Sequence, residues 1–173
     1  MKTLLLLRHA KSSWDETGLA YLARPLTSRG RAAATRIGRH LRGAGLAPER
    51  VLCSPARRAT ETLAGVLTEL GESPVIEERP DLYLRGWSSL LGAVHGLPEE
   101  VNRAMLVSHN PDLHDLALAL AGTGPPEALK ALAAKFPTGA LAVLCFADPV
   151  SGWRAVAPGN GALHALIKPR DLS

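Results

Sequence analysis

Residues 3–7, TLLLL, form an apolar run with neither the period of an amphipathic helix nor the alternation of a half-exposed strand. A short continuous run of this kind is typical of a strand that is buried on both faces, as in a parallel sheet. Residues 50–53 and 104–108 have the same character, and residues 74–77 predict a shorter strand. A sheet made of such strands needs helices on both of its faces, which constrains the rest of the chain.

Helical patterns stand between the predicted strands. The first predicted helix has Thr27 or Ser28 as its cap, three apolar residues at four-residue spacing, and an end near Gly43. Further helices are predicted at residues 86–96 and 126–135. This alternation of strands with helices favours an α/β fold.

Two other predicted helices start with a polar residue followed by proline. Ser54 and Pro55 follow one apolar run, and Asn110 and Pro111 follow another. Serine and asparagine are favoured caps, and proline is favoured at the first helical position. Both pairs therefore predict the beginning of a helix, and Gly71 predicts the end of the first of these two.

The C-terminal part of the chain has a different pattern. Residues 139–147, 153–157 and 162–168 are strand-like, and residues 148–152, DPVSG, predict a hairpin turn between the first two. The expected fold is an α/β three-layer sandwich, with helices on both faces of a mostly parallel central sheet that has an antiparallel edge. Residues 1–173 are expected to form a single domain.

The composition is that of a globular protein, with 173 residues, 46% of them hydrophobic and 21% charged. The net charge of +4 comes from scattered residues and not from a basic tail, so nucleic acid is not an expected partner. No apolar run is long enough for a signal peptide or a membrane helix, so the expected location is the cytoplasm, with no membrane partner. The two cysteines belong to no CxxC pair or Cys/His cluster, and no metal site is predicted.

Cationic or titratable side chains stand where three of the predicted strands end. Arg8 and His9 follow the first strand, Arg57 and Arg58 follow the second, and His109 follows the strand at residues 104–108. Because ligands of open α/β sheets bind beyond the carboxyl ends of the strands, these side chains are expected to meet at one place. Guanidinium groups and helix N-termini both attract oxyanions, so the sequence predicts a site for a phosphoryl group.

Several short motifs resemble those of a known family. LRHAKS at residues 7–12 resembles the Arg-His signature of the histidine phosphatase superfamily, which has the phosphoglycerate mutase-like fold. SPARRATET at residues 54–62 and VSHNP at residues 107–111 resemble its second motif and the motif with its second histidine. RPLTSRG, from residue 24, resembles the link into the first helix of the family. The wording RHAKSSW and SHNPDL, with Ala10 after the Arg-His pair, is most similar to the SixA-type phosphohistidine phosphatases.

This resemblance implies a role for each motif residue. His9 is implied as the nucleophile that becomes phosphorylated, Arg8 and Arg58 as clamps on the phosphoryl oxygens, and His109 as a further contact to those oxygens. Arg57 is the alternative for the second arginine, although the motif spacing favours Arg58. An imidazole must be neutral to attack phosphorus, and two neighbouring arginines disfavour its protonated form.

Ser12 and Asn110, which stand in the same motifs, are further candidates for substrate binding. Many members of the superfamily also supply a carboxylic acid that protonates the leaving oxygen. Asp81 is the best-placed candidate for this general acid, although DLY at residues 81–83 does not match the acid-bearing pattern closely, and a turn or cap residue is the alternative. SixA-type members are thought to lack the acid, and neither a metal nor another cofactor is implied.

The expected function is a phosphatase with a phosphohistidine intermediate that acts on protein phosphohistidine. The lack of a clearly matching general acid fits this substrate, because the leaving group of a phosphoramidate needs less protonation than that of an ester. One alternative is a phosphomonoesterase for a small phosphorylated metabolite, and another is a phosphate-binding module without catalysis. The expected partner is thus a phosphorylated protein or metabolite, and the sequence does not indicate an oligomeric state.

Overall fold

The computed structural model describes residues 1–15, 20–147 and 152–173. Seven strands form one sheet: β1 (Lys2–Arg8), β2 (Arg50–Cys53), β3 (Val75–Glu78), β4 (Arg103–Ser108), β5 (Ala121–Thr123), β6 (Leu141–Phe146) and β7 (Gly161–Ile167). The helices are α1 (Ser28–Gly43), α2 (Arg57–Leu70), α3 (Trp87–His95), α4 (Asp112–Leu120) and α5 (Pro126–Ala134). The predicted α/β sandwich is confirmed, and the sheet order is β3-β2-β4-β1-β6-β7-β5.

The strands that end in cationic or histidine residues are parallel neighbours, as the sequence predicts. Strand β4 lies between β1 and β2, and it pairs in parallel with both. Arg8 is in register with Ser108, and Cys53 is in register with Val107. The carboxyl ends of the three strands therefore lie side by side at one edge of the sheet.

Strand β6 is antiparallel to both of its neighbours, β1 and β7. Because it has a neighbour on each side, it lies inside the sheet and not at its outer edge. Leu141, at the start of β6, is in register with Leu7 and with Ile167. The start of β6 and the end of β7 therefore lie at the same edge as Arg8. The short strand β5, which the sequence did not predict, pairs in parallel with β7.

The leucine run is buried because it faces two apolar cores. Leu5 and Leu7 pack in the core beneath α1 and α2, whereas Leu4 and Leu6 pack in the core on the opposite face with residues of α3, α4 and α5. All four leucines have no exposed surface. A strand between two helical layers needs apolar residues at every position, which explains the absence of alternation.

The predicted caps are right for one helix and wrong for two. Thr27 caps α1, and its side chain accepts a hydrogen bond from the N–H of Gly30. Helices α2 and α4 begin later than predicted, and neither has a side-chain cap. Ser54 and Asn110 are instead bonded to His109 and to the carbonyl oxygen of Phe136. Their side chains make contacts at the candidate site, and the helices begin after them, with Ala56 and Pro111 at the N-cap positions.

The predicted strand at residues 153–157 is wrong. Trp153–Ala155 form a single 3₁₀ turn, because the Trp153 indole is fully buried and donates its N–H to the carbonyl oxygen of Val101. The predicted hairpin turn at residues 148–152 lies outside the described residues, apart from Gly152. Among the described helices, none combines the length and the apolar character that a membrane crossing requires.

Candidate active site

The structure brings the side chains of three strand ends together. His9 follows β1 directly, and its backbone N–H donates to the carbonyl oxygen of Ser108, at the end of β4. His109 follows Ser108, and the ring centroids of His9 and His109 are 5.1 Å apart. Arg58, in the first turn of α2, lies close enough to affect the ionisation of both imidazoles. The parallel register of the strands produces this convergence.

The His9 imidazole is held in one tautomer. The ring is 8% exposed, and Nδ1 lies 2.8 Å from the carbonyl oxygen of Ala10. A carbonyl oxygen only accepts hydrogen bonds, so Nδ1 carries the hydrogen and Nε2 keeps its lone pair. The backbone around the ring is also fixed: Gly139 donates to the His9 carbonyl oxygen, and Ala10 donates to the Thr62 hydroxyl. His9 therefore presents a nucleophilic nitrogen from a rigid support.

Thr62 is a site residue that the sequence reasoning did not single out, although it is the last residue of the SPARRATET motif. Its fully buried hydroxyl accepts from the Ala10 N–H and donates to the Arg58 carbonyl oxygen at 2.6 Å. One side chain thus connects the segment after β1 with the start of α2. This bridge gives the final threonine of the motif a structural role.

Two guanidinium groups, those of the buried Arg58 and the half-buried Arg8, flank the histidines and retain unused donors. Arg8 donates from Nη1 to the carbonyl oxygen of Phe136, and Arg58 donates from Nη1 to that of Tyr21. The Nε atoms of both arginines are buried and have no partner in the described part of the structure. Buried donors are seldom left unpaired, so this arrangement is typical of a site that receives an anionic ligand.

The structure distinguishes the two candidate arginines of the second motif. The Arg58 side chain is turned inward and the residue is 1% exposed. The Arg57 side chain is exposed and forms an ion pair with Glu61, 2.8 Å from Nε to the carboxylate. Arg58 therefore lies beside the histidines, and Arg57 lies on the outer face of α2.

His109 faces the same space as His9. It is 2% exposed, its Nε2 lies 2.7 Å from the Ser54 hydroxyl, and its Nδ1 is buried with no partner among the described atoms. The edge of the Tyr83 ring packs against the imidazole, with 5.1 Å between centroids. Ser54 and Tyr83 thus fix the ring, and one ring nitrogen is left for a ligand.

Both histidines are held in the neutral form. Burial lowers the pKa of His9 to about 4, and the charges of Arg58, Arg8 and Arg24 act in the same direction, against the hydrogen bond to Ala10. Burial, His9 and the same two site arginines, Arg58 and Arg8, lower the pKa of His109 to about 3. At neutral pH both imidazoles are uncharged, as a nucleophile and a hydrogen-bonding partner require.

These pKa shifts predict a loss of stability in mild acid. An unfolded histidine titrates near pH 6.5, so below that pH the unfolded chain binds protons that folded His9 and His109 do not. The free energy of unfolding should therefore fall as the pH decreases from about 6.5 to 4.5, by up to about 1.4 kcal/mol per pH unit for each histidine. Urea unfolding at a series of pH values measures this slope. A double variant, His9→Gln with His109→Gln, should have a shallower slope, and an unchanged slope would contradict the prediction.

Arg24 is a third cation at the site, beside Arg8 and Arg58, and the sequence reasoning did not assign it. It is buried, donates from Nη2 to the Ser12 hydroxyl at 2.6 Å, and stacks on the Trp14 ring with Cζ 3.2 Å from the ring centroid. The predicted binding residue Ser12 therefore has its oxygen engaged by Arg24. The RPLTSRG motif, which begins with this arginine, was the signal for it in the sequence.

Aromatic rings surround the Arg58 guanidinium. Its Cζ lies 4.4 Å from the Tyr21 centroid and 5.7 Å from the Tyr83 centroid, and the ring of Trp14 lies 6.0 Å from that of Tyr21. Trp14 is 67% exposed and Tyr21 is 48% exposed. The two residues therefore form an apolar rim beside a strongly cationic pocket. No local sequence pattern singled out these aromatic residues.

Asn110, the other predicted binding residue, lies next to Arg8. Its amide Nδ2 donates to the carbonyl oxygen of Phe136, which also accepts from Arg8. The Asn110 Oδ1 atom is buried and has no partner in the described residues. The peptide bond between Asn110 and Pro111 is cis.

Asp81 is engaged by another side chain. Its carboxylate oxygens accept from Nε and Nη2 of Arg79 at 2.9 and 2.7 Å. This hydrogen-bonded pair holds the pKa of Asp81 below its ordinary value. A general acid needs a carboxyl group that is protonated near neutral pH, so the environment of Asp81 opposes that role. In the described part of the chain, no group of three or more His, Cys, Asp and Glu side chains is arranged to hold a metal ion.

Comparison with known proteins gives the same assignment from sequence and from fold. The family model of the histidine phosphatase superfamily (branch 1) matches residues 4–102. An uncharacterized protein of Mycobacterium leprae is 34% identical over 168 residues, which cover 95% of this chain and all of that protein.

Solved structures extend the similarity to almost the whole chain. A candidate SixA phosphohistidine phosphatase of Nakamurella multipartitia superposes with a TM-score of 0.83 and 30% identity over 97% of this chain and 96% of that one. The protein histidine phosphatase SixA complexed with tungstate gives a TM-score of 0.78 and 25% identity over 99% of each chain. The chain therefore belongs to the histidine phosphatase superfamily, has its phosphoglycerate mutase-like fold, and is SixA-like.

Proposed function

We propose that the protein hydrolyses phosphohistidine on other proteins through a covalent phosphohistidine intermediate on His9. The observation that supports this proposal best is the state of His9: a neutral imidazole with its lone pair on Nε2, next to a second neutral imidazole and two arginines whose buried Nε donors have no partner among the described residues. The similar SixA protein was solved as a complex with tungstate, a tetrahedral oxyanion like phosphate, which also supports a phosphoryl substrate.

The first step transfers the phosphoryl group to His9. The Nε2 lone pair attacks phosphorus, a new N–P bond forms, and the N–P bond of the substrate breaks with its electron pair going to the substrate imidazole. Arg8 and Arg58 bind the phosphoryl oxygens and compensate their charge, which is the main requirement of phosphoryl transfer. The Nδ1 hydrogen bond of His9 to the Ala10 carbonyl oxygen stabilises the positive charge that the phosphorylated ring acquires.

His109 acts as a donor to the phosphoryl group. In the proposed tautomer, the Ser54 hydroxyl donates to Nε2 of His109 while its oxygen accepts the N–H of Ala56 at 3.3 Å. With Nε2 accepting, the neutral ring carries its hydrogen on Nδ1, the atom that has no partner among the described residues. That N–H is then directed to an oxygen of the bound group, where it stabilises the transition state.

The second step releases inorganic phosphate. A water molecule attacks phosphorus, the N–P bond to His9 breaks, and the neutral imidazole is restored with its lone pair on Nε2. The intermediate divides one difficult displacement into two easier ones. The proposed chemistry is metal-independent, since the arginines and the histidine supply the charge stabilisation.

The state of Asp81 favours phosphohistidine over a phosphate ester. An ester leaves as an alkoxide, a strong base that needs a proton, and a general acid contributes about 10²–10⁴ in rate to such a reaction. A substrate imidazole is a far weaker base and leaves neutral once its second ring nitrogen carries a proton from solvent. Because Asp81 is paired with Arg79 and ionised, the site is better suited to the second kind of leaving group.

The rim of the pocket favours a protein as the substrate. Trp14 and Tyr21 are exposed beside Arg24 and Arg58. Exposed aromatic residues at the mouth of a site are typical of surfaces that contact another protein. We further propose that residues 1–173 act as one domain, because the Gly139 N–H and the Phe136 carbonyl oxygen, from the segment before β6, bind His9 and Arg8.

A substrate panel tests the proposal. The kcat/KM of the protein for a phosphohistidine peptide should exceed that for a phosphoserine peptide and for glucose 6-phosphate by at least about 10²-fold, the scale of a missing general acid. An Asp81→Asn variant should keep the phosphohistidine activity within about threefold, since the proposed reaction does not use the Asp81 carboxyl group.

The matched control for this variant is Glu77→Gln, which removes the other carboxylate that pairs with Arg79. The contrary result is a natural protein that prefers esters, with a kcat/KM for esters that falls about 10²-fold or more in Asp81→Asn but not in Glu77→Gln. That result would make Asp81 a general acid. In that case the protein would be a phosphomonoesterase. Binding of the phosphopeptide without any phosphate release would indicate a binding module.

A further inference from the structure

A basic groove lies beside the candidate active site. Its cavity volume is about 550 Å³, and it is formed by α1, by α5 with the segment after it, and by the residues that follow β7. The lining residues are Lys11, Arg29, Ala33, Arg36, Ala131, Ala134, Lys135, Pro137, Thr138, Lys168, Pro169 and Arg170. None of the predicted catalytic side chains is among them.

The groove concentrates the positive charge of the protein. Half of its lining residues are Lys or Arg, and none is acidic. Taking these six away from the 20 Lys and Arg residues of the chain leaves 14 against 16 Asp and Glu residues. Among the described residues, Arg170 alone of the six forms an ion pair, a 3.9 Å contact with Asp171 on the exposed surface. The groove is therefore a surface that would attract an anionic partner.

The groove opens at the same edge of the sheet as the active site. Lys11 stands two residues after His9, and Thr138 precedes Gly139, which binds the His9 carbonyl oxygen. Lys168 follows the end of β7, which the register places at the same edge as Arg8. A macromolecule whose phosphorylated side chain enters the site can thus extend over the groove.

The form of the groove suits a protein surface better than a small ligand or a nucleic acid. Five of its six cations are exposed, and the sixth, Lys168, is half-buried, whereas a preformed small-molecule site would hold buried polar groups. Its apolar lining consists of alanine and proline, so it has no aromatic ring on which a base could stack. Exposed, mobile cations are suited to carboxylates on the surface of a partner, where they increase the rate of association.

We propose that this basic groove docks an acidic segment of the phosphoprotein substrate while its phosphohistidine occupies the active site. The inference rests on the proposed function and adds a recognition element to it: carboxylates near the phosphorylated histidine select the substrate. Because the groove cations do not touch the phosphoryl group, they act on KM and on its salt dependence, and kcat is unaffected.

Two matched pairs of substitutions separate docking from net charge. The groove variant is Arg36→Glu with Arg170→Glu, and both side chains are exposed. The control variant is Arg42→Glu with Arg154→Glu, which changes the net charge equally at exposed positions outside the groove. The substrates are two peptides of equal length with one phosphohistidine each, one flanked by glutamates and the other by glutamines.

For the natural protein, kcat/KM for the glutamate peptide should exceed that for the glutamine peptide by about tenfold or more at low salt. The groove variant should lose this preference through KM, while the control variant and the activity on the glutamine peptide stay unchanged. A natural protein with no preference for glutamates would overturn the inference, as would an equal loss in both variants.

Anisotropy of a labelled, unphosphorylated glutamate peptide tests the groove without the chemistry. If the natural protein binds this peptide and the groove variant does not, docking is supported. If, in addition, neither phosphopeptide is hydrolysed, the proposed phosphatase function is contradicted but the docking inference is not. If both phosphopeptides are hydrolysed with equal kcat/KM, the docking inference is contradicted but the proposed phosphatase function is not. Tighter binding of tripolyphosphate or of a single-stranded RNA, lost in the same variant, would overturn the proposed occupant.

Discussion

The His9→Ala variant should have no measurable turnover and should form no phosphoenzyme. Its Nε2 is the free imidazole nitrogen with a lone pair that the structure fixes next to Arg8 and Arg58, since Nδ1 carries its hydrogen to Ala10. Without it, water would have to attack the substrate directly, and neither step of the two-step pathway remains. The expected loss in kcat is at least about 10⁴-fold, the scale seen when a covalent nucleophile is removed.

The measurement combines steady-state hydrolysis with detection of the intermediate. After a rapid quench, the natural protein should carry phosphate that is labile in acid and stable in base, as expected of a phosphoramidate. His9→Gln keeps more of the side-chain volume and should be equally inactive, which separates chemistry from packing. His164→Ala, at an exposed position on β7, is the matched control and should behave as the natural protein. Substantial hydrolysis by either His9 variant would assign the nucleophile to another group.

The position of the site was predictable because it follows from strand chemistry. The apolar run at residues 3–7 could be assigned to a doubly buried strand, since it has no helical period and is too short for a buried helix. Parallel strands bring their carboxyl ends to one edge, so Arg8, His9 and His109 had to approach each other once the strands were neighbours. The prediction depended only on regular strand geometry, so the proximity of these side chains could be inferred without knowing the loop conformations.

The rest of the site depends on side-chain contacts that exist only in the folded protein. Arg24 and Tyr21 reach the site from the segment before α1, and their positions are set by the guanidinium, hydroxyl and ring contacts that they make in the folded protein. Ser54 and Asn110 are good helix caps by composition, yet their side chains are used by His109 and by Phe136. The state of Asp81 likewise depends on Arg79, two residues earlier, whose side chain forms the ion pair.

The antiparallel strand β6 shows the same limit at the level of topology. Its sequence predicts a strand, and an antiparallel partner was expected, but its place between β1 and β7 depends on which edge of β1 remains free. Strand β4 occupies one edge of β1, so β6 takes the other. This placement brings the Phe136 carbonyl oxygen and the Gly139 N–H to Arg8 and His9, and it also forms the basic groove.

The Arg58→Met variant should lose about 10²–10³-fold in kcat/KM, the scale of losing one donor to a developing oxyanion. Methionine retains much of the buried volume but supplies neither the charge nor the donors. Arg58→Lys should recover little of the loss, because an ammonium group does not bind two oxygens in the planar geometry of a guanidinium. Arg57→Met is the matched control at the neighbouring position, and it should cost little because Arg57 is exposed and paired with Glu61.

The same variant makes a second, independent prediction about the pH profile. Arg58 is the largest of the neighbouring charges that lower the pKa of His9, so its removal should raise that pKa from about 4 toward the ordinary value. The kcat/KM of the natural protein should therefore decrease only below about pH 4–5, and that of Arg58→Met should begin to decrease at a higher pH. A loss of activity with an unshifted acidic limb would mean that Arg58 contributes through packing against Tyr21 and not through its charge at the reacting phosphoryl group.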